Sequence, residues 1–278
     1  MSVIAFVGST SWNRSVIEHA AWAAKSLDQP VLIVAQEENV DTEPAIAFDA
    51  YGGMDAREDL FRELTSRERS DMPTRDAAAL DNVQSAARIA RELGVAKVRT
   101  TTTQDDPATF IEQSTDSGDL LVLPRRDVTD SGARQWMDQY LRARRRMMLL
   151  VPDSFSQPKS WFIAIDGKAA SGRAVDYLTS KKLLKDVPGT AAFVGNDYQS
   201  RLHFRDAVKH LHSAGHQLES HELQGSADDV LAAVLTILPT DLLIMGAYGQ
   251  GRFRSLIEGS TTSRLLSTFR GPVLIARD

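Results

Sequence analysis

The feature that most constrains the fold of this chain of 278 residues is an internal repeat. Residues 3–8 (VIAFVG) align with residues 162–167 (FIAIDG), which lie 159 positions later. Residues 119–124 (DLLVLP) align with residues 241–246 (DLLIMG), which lie 122 positions later. Self-similarity at this scale indicates duplicated structural units, so we predict two copies of one domain.

The two offsets place 37 additional residues in the first copy. We assign them to an insertion near 37–79, where Pro44, Gly52 and Gly53 interrupt any regular period, and we expect a helix over about 55–69. The predicted domains are therefore 1–153, which contains the insertion, and 158–278.

Short apolar runs alternate with amphipathic stretches inside each copy. In the second copy the runs are 161–166, 190–195, 217–222, 241–246 and 272–276. Such runs are typical of strands covered on both faces, and the segments between them carry apolar residues at helical spacing, namely Ala174, Leu178, Leu183, Val208, Leu211, Val230, Ala233, Val234 and Ile237. The sequence predicts an α/β fold of two tandem flavodoxin-like (Rossmann-like) domains, each a five-stranded, mostly parallel sheet with helices on both faces.

Composition excludes several classes of function. With 32 basic and 37 acidic side chains the formal charge is -5, which argues against a broad nucleic-acid interface. No cysteine is present, so thiolate catalysis and cysteine-ligated metal sites are excluded. No run approaches the roughly 18 apolar residues of a membrane span, and no basic segment precedes an apolar core near Met1. We expect a cytoplasmic protein without a nucleic-acid or membrane partner.

The loop after the fourth strand of the second copy is rich in glycine. It contains Gly246 and Gly249, and then Gly259, Ser260 and Thr261 before a predicted helix. Glycines let the main chain approach a ligand closely, and a helix start presents free N–H groups that attract anions, phosphate above all. In open parallel sheets ligands settle at the carboxyl ends of the strands, where strand order reverses. The same edge receives Asp166, which follows the first strand of this copy.

The spacing Gly246-x2-Gly249-x9-Gly259-Ser260 resembles the ATP-binding signature of the universal stress protein family. The resemblance covers both halves as tandem domains, although only the second half carries the signature. It implies an adenine nucleotide (ATP, ADP or AMP), with or without Mg²⁺ beside its phosphates. The resemblance assigns Asp166, Val194, Gly246, Gly249, Gly259 and Ser260 to the nucleotide. The sequence of the two loops adds Gly167, Arg252 and Thr261 as candidate contacts. Family members commonly pair through their last strand, which implies an intramolecular pseudo-dimer and leaves a homodimer open.

The chemistry of Asp166 favours the nucleoside end of such a ligand. A carboxylate accepts hydrogen bonds from an exocyclic amine or a ribose hydroxyl, whereas it repels phosphates unless a cation intervenes. The alternative is that Asp166 caps the following helix and that the glycines only make turns.

The first copy departs from the signature. Val7 occupies the position of Asp166, and Pro124 occupies that of Gly246. Proline fixes its own φ and has no N–H, so this loop cannot form the same phosphate cradle. We therefore expect nucleotide in the C-terminal domain only.

Catalytic and metal motifs are not evident. His212 and His216 have the spacing of a helical metal pair, but Gly215 is expected to end the helix between them, so we predict no metal site. We also predict no catalytic residue and at most weak ATP hydrolysis. The favoured function is a stress-response protein that acts as a nucleotide-dependent binding switch or scaffold toward an unknown protein partner. The alternatives are a slow ATPase or phosphotransferase, and an interaction scaffold that binds no nucleotide.

Overall fold

The computed structural model describes residues 1–8, 13–37, 75–125, 146–247 and 269–277. The helix predicted over 55–69 and most of the predicted insertion lie outside the described residues. The first half contributes β1 (Val3–Val7), α1 (Asn13–Leu27), β2 (Val31–Gln36), α2 (Arg75–Glu92), β3 (Val98–Thr103), α3 (Pro107–Ser114), β4 (Leu120–Pro124) and β5 (Met147–Val151). The second half contributes β6 (Trp161–Ala164), α4 (Ala169–Ser180), β7 (Gly189–Val194), α5 (Tyr198–Ser213), β8 (Leu218–Leu223), α6 (Ala227–Ile237), β9 (Leu242–Ala247) and β10 (Val273–Arg277).

The described strands form one continuous sheet in the order β3-β2-β1-β4-β5-β10-β9-β6-β7-β8. Neighbouring strands within each half are parallel. The last strands of the two halves, β5 and β10, pair antiparallel, with Leu150 opposite Val273 and Met147 opposite Ala276. The fold is thus two flavodoxin-like α/β units in tandem, each with five parallel strands. The division at 153–158 stays a prediction; it falls between β5 and β6.

Each inner strand is buried on both faces because helices cover both sides of the sheet. In β1, Val3 and Ala5 belong to one core cluster, and Ile4 and Phe6 belong to the cluster on the opposite face. The first cluster also includes buried residues of α1, α2, α4 and α5, whereas the second includes residues of α3 and α6. This two-sided burial explains the near-continuous apolar runs of the sequence.

The apolar face predicted for α6 is confirmed only in part. Val234 packs on the core, whereas Ala233 is exposed and Ile237 is 78% exposed. The face that packs on the core is Leu231, Ala232, Val234, Leu235 and Leu238. The sequence ADDVLAAVLTI offers two overlapping apolar sets at helical spacing, so the period alone does not select one.

Among the described residues, no helix has both the length and the apolar character needed to cross a bilayer.

Gly189 is required because an indole ring packs against it. Trp161, the partner of Gly189 in the β6–β7 ladder, is 1% exposed and donates from Nε1 to the Val187 carbonyl at 2.8 Å. A Cβ on Gly189 would lie 2.1 Å from Trp161 Cε2. The indole cannot withdraw without losing its core position and its hydrogen bond.

We expect Gly189→Ala to lower the free energy of unfolding by about 2 kcal/mol or more, as overpacking of a well-packed core does. Gly172→Ala, at the fourth residue of α4, is the matched control because a Cβ there meets no atom within 4 Å. That control should raise stability by roughly 0.5–1 kcal/mol through helix propensity. Urea unfolding measures both values, and equal effects of the two substitutions would contradict this account of Gly189.

A buried histidine on α1 makes stability depend on pH. His19 is fully buried, and its Nδ1 lies 2.8 Å from the Ser15 carbonyl oxygen. Its ring packs edge-on against Phe155 at 4.8 Å between centroids. Burial, which disfavours the charged imidazolium, lowers the pKa of His19 to about 4.

The unfolded chain binds a proton at His19 near pH 6.5, whereas the folded chain does so only near pH 4. Stability from this group is therefore complete above pH 6.5 and is lost as the pH falls toward 4. The loss amounts to roughly 3 kcal/mol if the full shift is realised. Unfolding titrations between pH 7 and 4 should show a smaller loss in His19→Phe than in the unchanged chain. The exposed His212→Gln is the control, and a slope unaffected by His19→Phe would refute the assignment.

Candidate functional site

The order of strands in the second half reverses between β6 and β9. From β6 the sheet continues through β7 to β8, and from β9 it continues to β10. The ladders place Ala164 opposite Ala192 of β7 and opposite Met245 of β9. Asp166, Val194 and Gly246 therefore follow at the carboxyl ends of three adjacent strands, at the position where ligands bind in open α/β sheets.

Asp166 organises the loop that leads into α4. Its Oδ1 accepts hydrogen bonds from the Lys168 amide at 3.0 Å and from the Ser171 hydroxyl at 2.7 Å. The Lys168 ammonium lies 3.8 Å from Oδ2, and 41% of the Asp166 side chain remains exposed. The carboxylate thus has a structural role and is still accessible from solvent.

Gly167 lets the start of α5 pack over this loop. Its φ is +74°, and a Cβ there would lie 2.7 Å from the Ser200 Cα. Asp197 caps α5 by accepting from the Ser200 amide at 2.7 Å, and this hydrogen bond lowers the pKa of Asp197. His203 Nδ1 lies 3.1 Å from the Gly167 carbonyl oxygen. The β6–α4 loop and the first turn of α5 therefore fix each other.

Gly246 allows β9 to approach the first turn of α4. A Cβ at this position would lie 2.4 Å from the Ser171 nitrogen and 2.7 Å from the Ala170 carbonyl carbon. The close approach that the glycine permits is thus to the backbone of α4. This contact explains Gly246 without any ligand, and it sets the path of the chain into the glycine-rich loop.

The remaining predicted residues divide into two groups. Val194 is half-buried at the end of β7 and packs against the second core cluster. Five residues lie outside the described residues, namely Gly249, Arg252, Gly259, Ser260 and Thr261. Sequence reasoning placed Lys168 after Gly167 at this edge, but it did not place Ser171 or His203 near the site. The Asp-Gly-Lys order after a strand, which favours an Asx turn, was a usable signal for Ser171.

The corresponding edge of the first half is built differently. Val7 is 5% exposed, and Pro124 ends β4. The next residue, Arg125, donates from its guanidinium to the carbonyls of Phe269 and Gly271, the latter at 2.9 Å. The residue that follows β4 thus contacts the chain just before β10 in the other half.

The histidine pair considered for metal binding is separated in the structure. The helix α5 ends at Ser213, and Gly215 adopts a φ of +90°. His212 is exposed, whereas His216 is buried with Nε2 3.0 Å from the Leu178 carbonyl oxygen. Within the described ranges, no group of three or more potential metal ligands comes together.

Comparisons with known proteins agree with this architecture. Residues 174–277 match the model of the Universal stress protein family. The chain is 26% identical over 268 residues to the Universal stress protein Slr1230 of Synechocystis sp., with 93% of each chain covered. A crystal structure of a universal stress protein from Archaeoglobus fulgidus aligns over 99% of this chain and 96% of that chain, with a TM-score of 0.65 at 12% identity.

A second solved structure shares the same fold. The cytoplasmic domain of a prokaryotic cation chloride cotransporter aligns with all of this chain and 95% of its own, with a TM-score of 0.55 at 11% identity. At such low identity these structural likenesses show the fold alone.

The fold and the carboxyl ends of β6, β7 and β9 place this chain in the class of open, doubly wound α/β proteins. Proteins of this class have a crevice at the topological switch point of the sheet. Within that class, residues 174–277 match the universal stress protein family, and the chain is similar to a universal stress protein over 93% of its length. The family match begins inside α4, so it includes Val194 and Gly246 but not Asp166 or Gly167.

Two substitutions of Asp166 distinguish the effect of its hydrogen bonds from the effect of its charge. Asp166→Ala removes the acceptor of two hydrogen bonds and should cost about 1–2 kcal/mol of unfolding free energy. Asp166→Asn keeps an oxygen acceptor and should stay within about 0.5 kcal/mol of the unchanged chain. Chemical denaturation measures both variants. If Asn is as destabilising as Ala, the loop depends on the carboxylate charge and the assignment of these two bonds is wrong.

Proposed function

We propose that the second half of the chain binds an adenine nucleotide, ATP foremost, at the carboxyl ends of β6, β7 and β9. The observation that carries the proposal is the accessible carboxylate of Asp166 at the switch point of the sheet, beside the end of β9. The glycine-rich sequence 246–261 continues from that point, and the family match covers it.

The accessible carboxylate of Asp166 supports a nucleoside next to the ends of β6 and β7. One Asp166 oxygen holds the α4 loop, and the side chain is 41% exposed, so the carboxylate can also accept from an amine or a hydroxyl of the ligand. Val194, half-buried beside it in the sheet, offers an apolar surface to a base. A phosphate against Asp166 would be repelled.

The phosphates are then assigned to the loop after β9. Gly249, Gly259, Ser260 and Thr261 would supply main-chain amides and hydroxyls, and Arg252 would supply charge-assisted hydrogen bonds. Mg²⁺ beside the phosphates would take its ligands from phosphate and water oxygens, and from the Ser260 and Thr261 hydroxyls, rather than from Asp166.

Nucleotide binding is proposed for the second half only. In the first half, Pro124 lacks the N–H and the φ freedom of glycine. Arg125, the residue that follows, already donates to carbonyls of the other half. Val7, at the position of Asp166, has no polar atom on its side chain.

We propose that the bound nucleotide acts as a conformational switch and is not hydrolysed in a catalytic cycle. A ligand shifts a conformational equilibrium only through its different affinity for two states. The residues assigned to the phosphates lie between β9 and β10 in the sequence, and we propose that the bound nucleotide changes the surface that they present. A protein partner that reads this surface would sense the nucleotide.

Isothermal titration with ATP tests the location of the site. We expect one nucleotide per chain, and a loss of affinity of at least about 100-fold in Gly259→Asp, because a new carboxylate would face the phosphates. Gly8→Asp is the matched control in the first half, since a Cβ at Gly8 meets no atom within 4 Å. It should leave the ATP affinity unchanged.

Two results would contradict the proposal. The location is wrong if Gly8→Asp abolishes binding while Gly259→Asp does not. The switch is wrong if hydrogen exchange of residues 246–262 is the same with and without saturating ATP.

A further inference from the structure

A cleft of about 290 Å³ lies between the two halves, on the first-half side of α4. The first half contributes Arg146, which directly precedes β5, together with the loop before β4. The second half contributes one face of α4 and the end of β10. The residues that carry the argument are Arg146, Arg173, Asp176, Tyr177, Lys181 and Arg277.

The lining of the cleft is strongly basic. It includes four cationic side chains, those of Arg146, Arg173, Lys181 and Arg277, and one carboxylate, that of Asp176. The chain as a whole has a formal charge of -5, so the excess of positive charge in the cleft is opposite in sign to the net charge of the molecule. Clefts lined by one sign of charge focus the field and attract ions of the opposite sign.

Backbone and threonine acceptors hold two of these guanidinium groups in place. Arg146 donates from Nη2 to the Thr115 carbonyl at 3.0 Å and from Nε to the Thr115 hydroxyl at 3.2 Å. Arg173 donates from Nη1 to the carbonyl of Arg277 at 2.9 Å. The amide of Arg277 in turn donates to the carbonyl of Arg146 at 3.3 Å. The arginines are thereby held next to one another across the junction of the halves.

Tyr177 supplies a buried polar atom that lacks a partner. The residue lines the cleft and is 7% exposed, and its hydroxyl oxygen has no hydrogen-bond partner among the described residues. A buried, unsatisfied hydroxyl costs free energy, so its presence calls for an explanation. Burial and, secondarily, the charge of Asp119 raise the pKa of Tyr177, so the phenol remains a neutral hydrogen-bond donor.

We propose that this cleft binds a small phosphorylated anion, with Arg146, Arg173 and Lys181 as cationic contacts and the Tyr177 hydroxyl as a neutral donor. Planar guanidinium groups match phosphate oxygens, and a phosphate supplies the acceptor that Tyr177 lacks. At about 290 Å³ the cleft is at the lower end of the range for ligand pockets. It therefore suits a phosphate or a small phosphomonoester rather than a whole nucleotide.

The internal repeat provides a comparison that supports a specific site. Arg14 of α1 occupies the repeat position of Arg173, but its guanidinium forms an exposed i,i+4 ion pair with Glu18 at 3.0 Å. Glu18 occupies the repeat position of Tyr177. The same helix positions in the first half thus carry a surface ion pair in place of a basic cleft.

The test is isothermal titration of the full chain with inorganic phosphate and, separately, with glycerol 3-phosphate. We expect one anion per chain and a loss of affinity of about tenfold in Arg173→Gln and in Lys181→Gln. Tyr177→Phe should weaken binding several-fold without lowering stability in the absence of phosphate, because no hydrogen bond is lost. Arg14→Gln, the matched control, should bind as the unchanged chain does.

The outcome is independent of the nucleotide proposal, because anion binding should persist in Gly259→Asp. Tighter binding of glycerol 3-phosphate than of inorganic phosphate would identify a phosphorylated organic ligand, and equal binding would identify phosphate itself. The proposal is overturned if neither anion binds with a dissociation constant below about 1 mM. It is also overturned if Tyr177→Phe, Arg173→Gln and Lys181→Gln bind as tightly as Arg14→Gln.

Discussion

The antiparallel pairing of β5 with β10 is the interaction on which the rest of this structure depends. Both strands are buried along their whole length, and either one left at the edge of a half-sheet would expose apolar side chains and unpaired backbone groups. Because the pairing is antiparallel, the carboxyl end of β10 comes to lie beside the amino end of β5. That reversal brings Arg277 next to Arg146, and it creates a cleft that neither half would form alone.

The two copies differ at the ends of their fourth strands. In the second half, Gly246 permits β9 to lie against the first turn of α4, where no Cβ would fit. In the first half, Pro124 ends the strand and Arg125 reaches carbonyls just before β10. One copy uses this edge for close packing within its own unit, and the other uses it to hold the two units together. A duplicated domain can lose its original site when the same residues acquire an interface role.

The sequence predicted those parts of the fold that are determined by the internal repeat and by local residue patterns. Two-sided apolar runs predicted the parallel strands, and Gly215 predicted the end of α5 at Ser213. The face of α6 was predicted only in part, because several apolar sets at helical spacing coexist and only packing selects one. The contact of Gly246 with α4 and the grouping of Arg146 with Arg277 depend on chain segments far apart in sequence. No local pattern contains that information.

Helix α4 connects the two regions for which we propose ligands. Its first turn contacts Gly246, and Ser171 within that turn donates to Asp166. Tyr177 lies six residues further along, or about 9 Å at the rise of an α-helix, and lines the cleft. A ligand in one region changes affinity in the other only if it moves the helix that both share. Ala174 and Leu178 are fully buried against the sheet, and such close packing resists a displacement of one end of α4 without the other, so a shift of the helix would reach both regions.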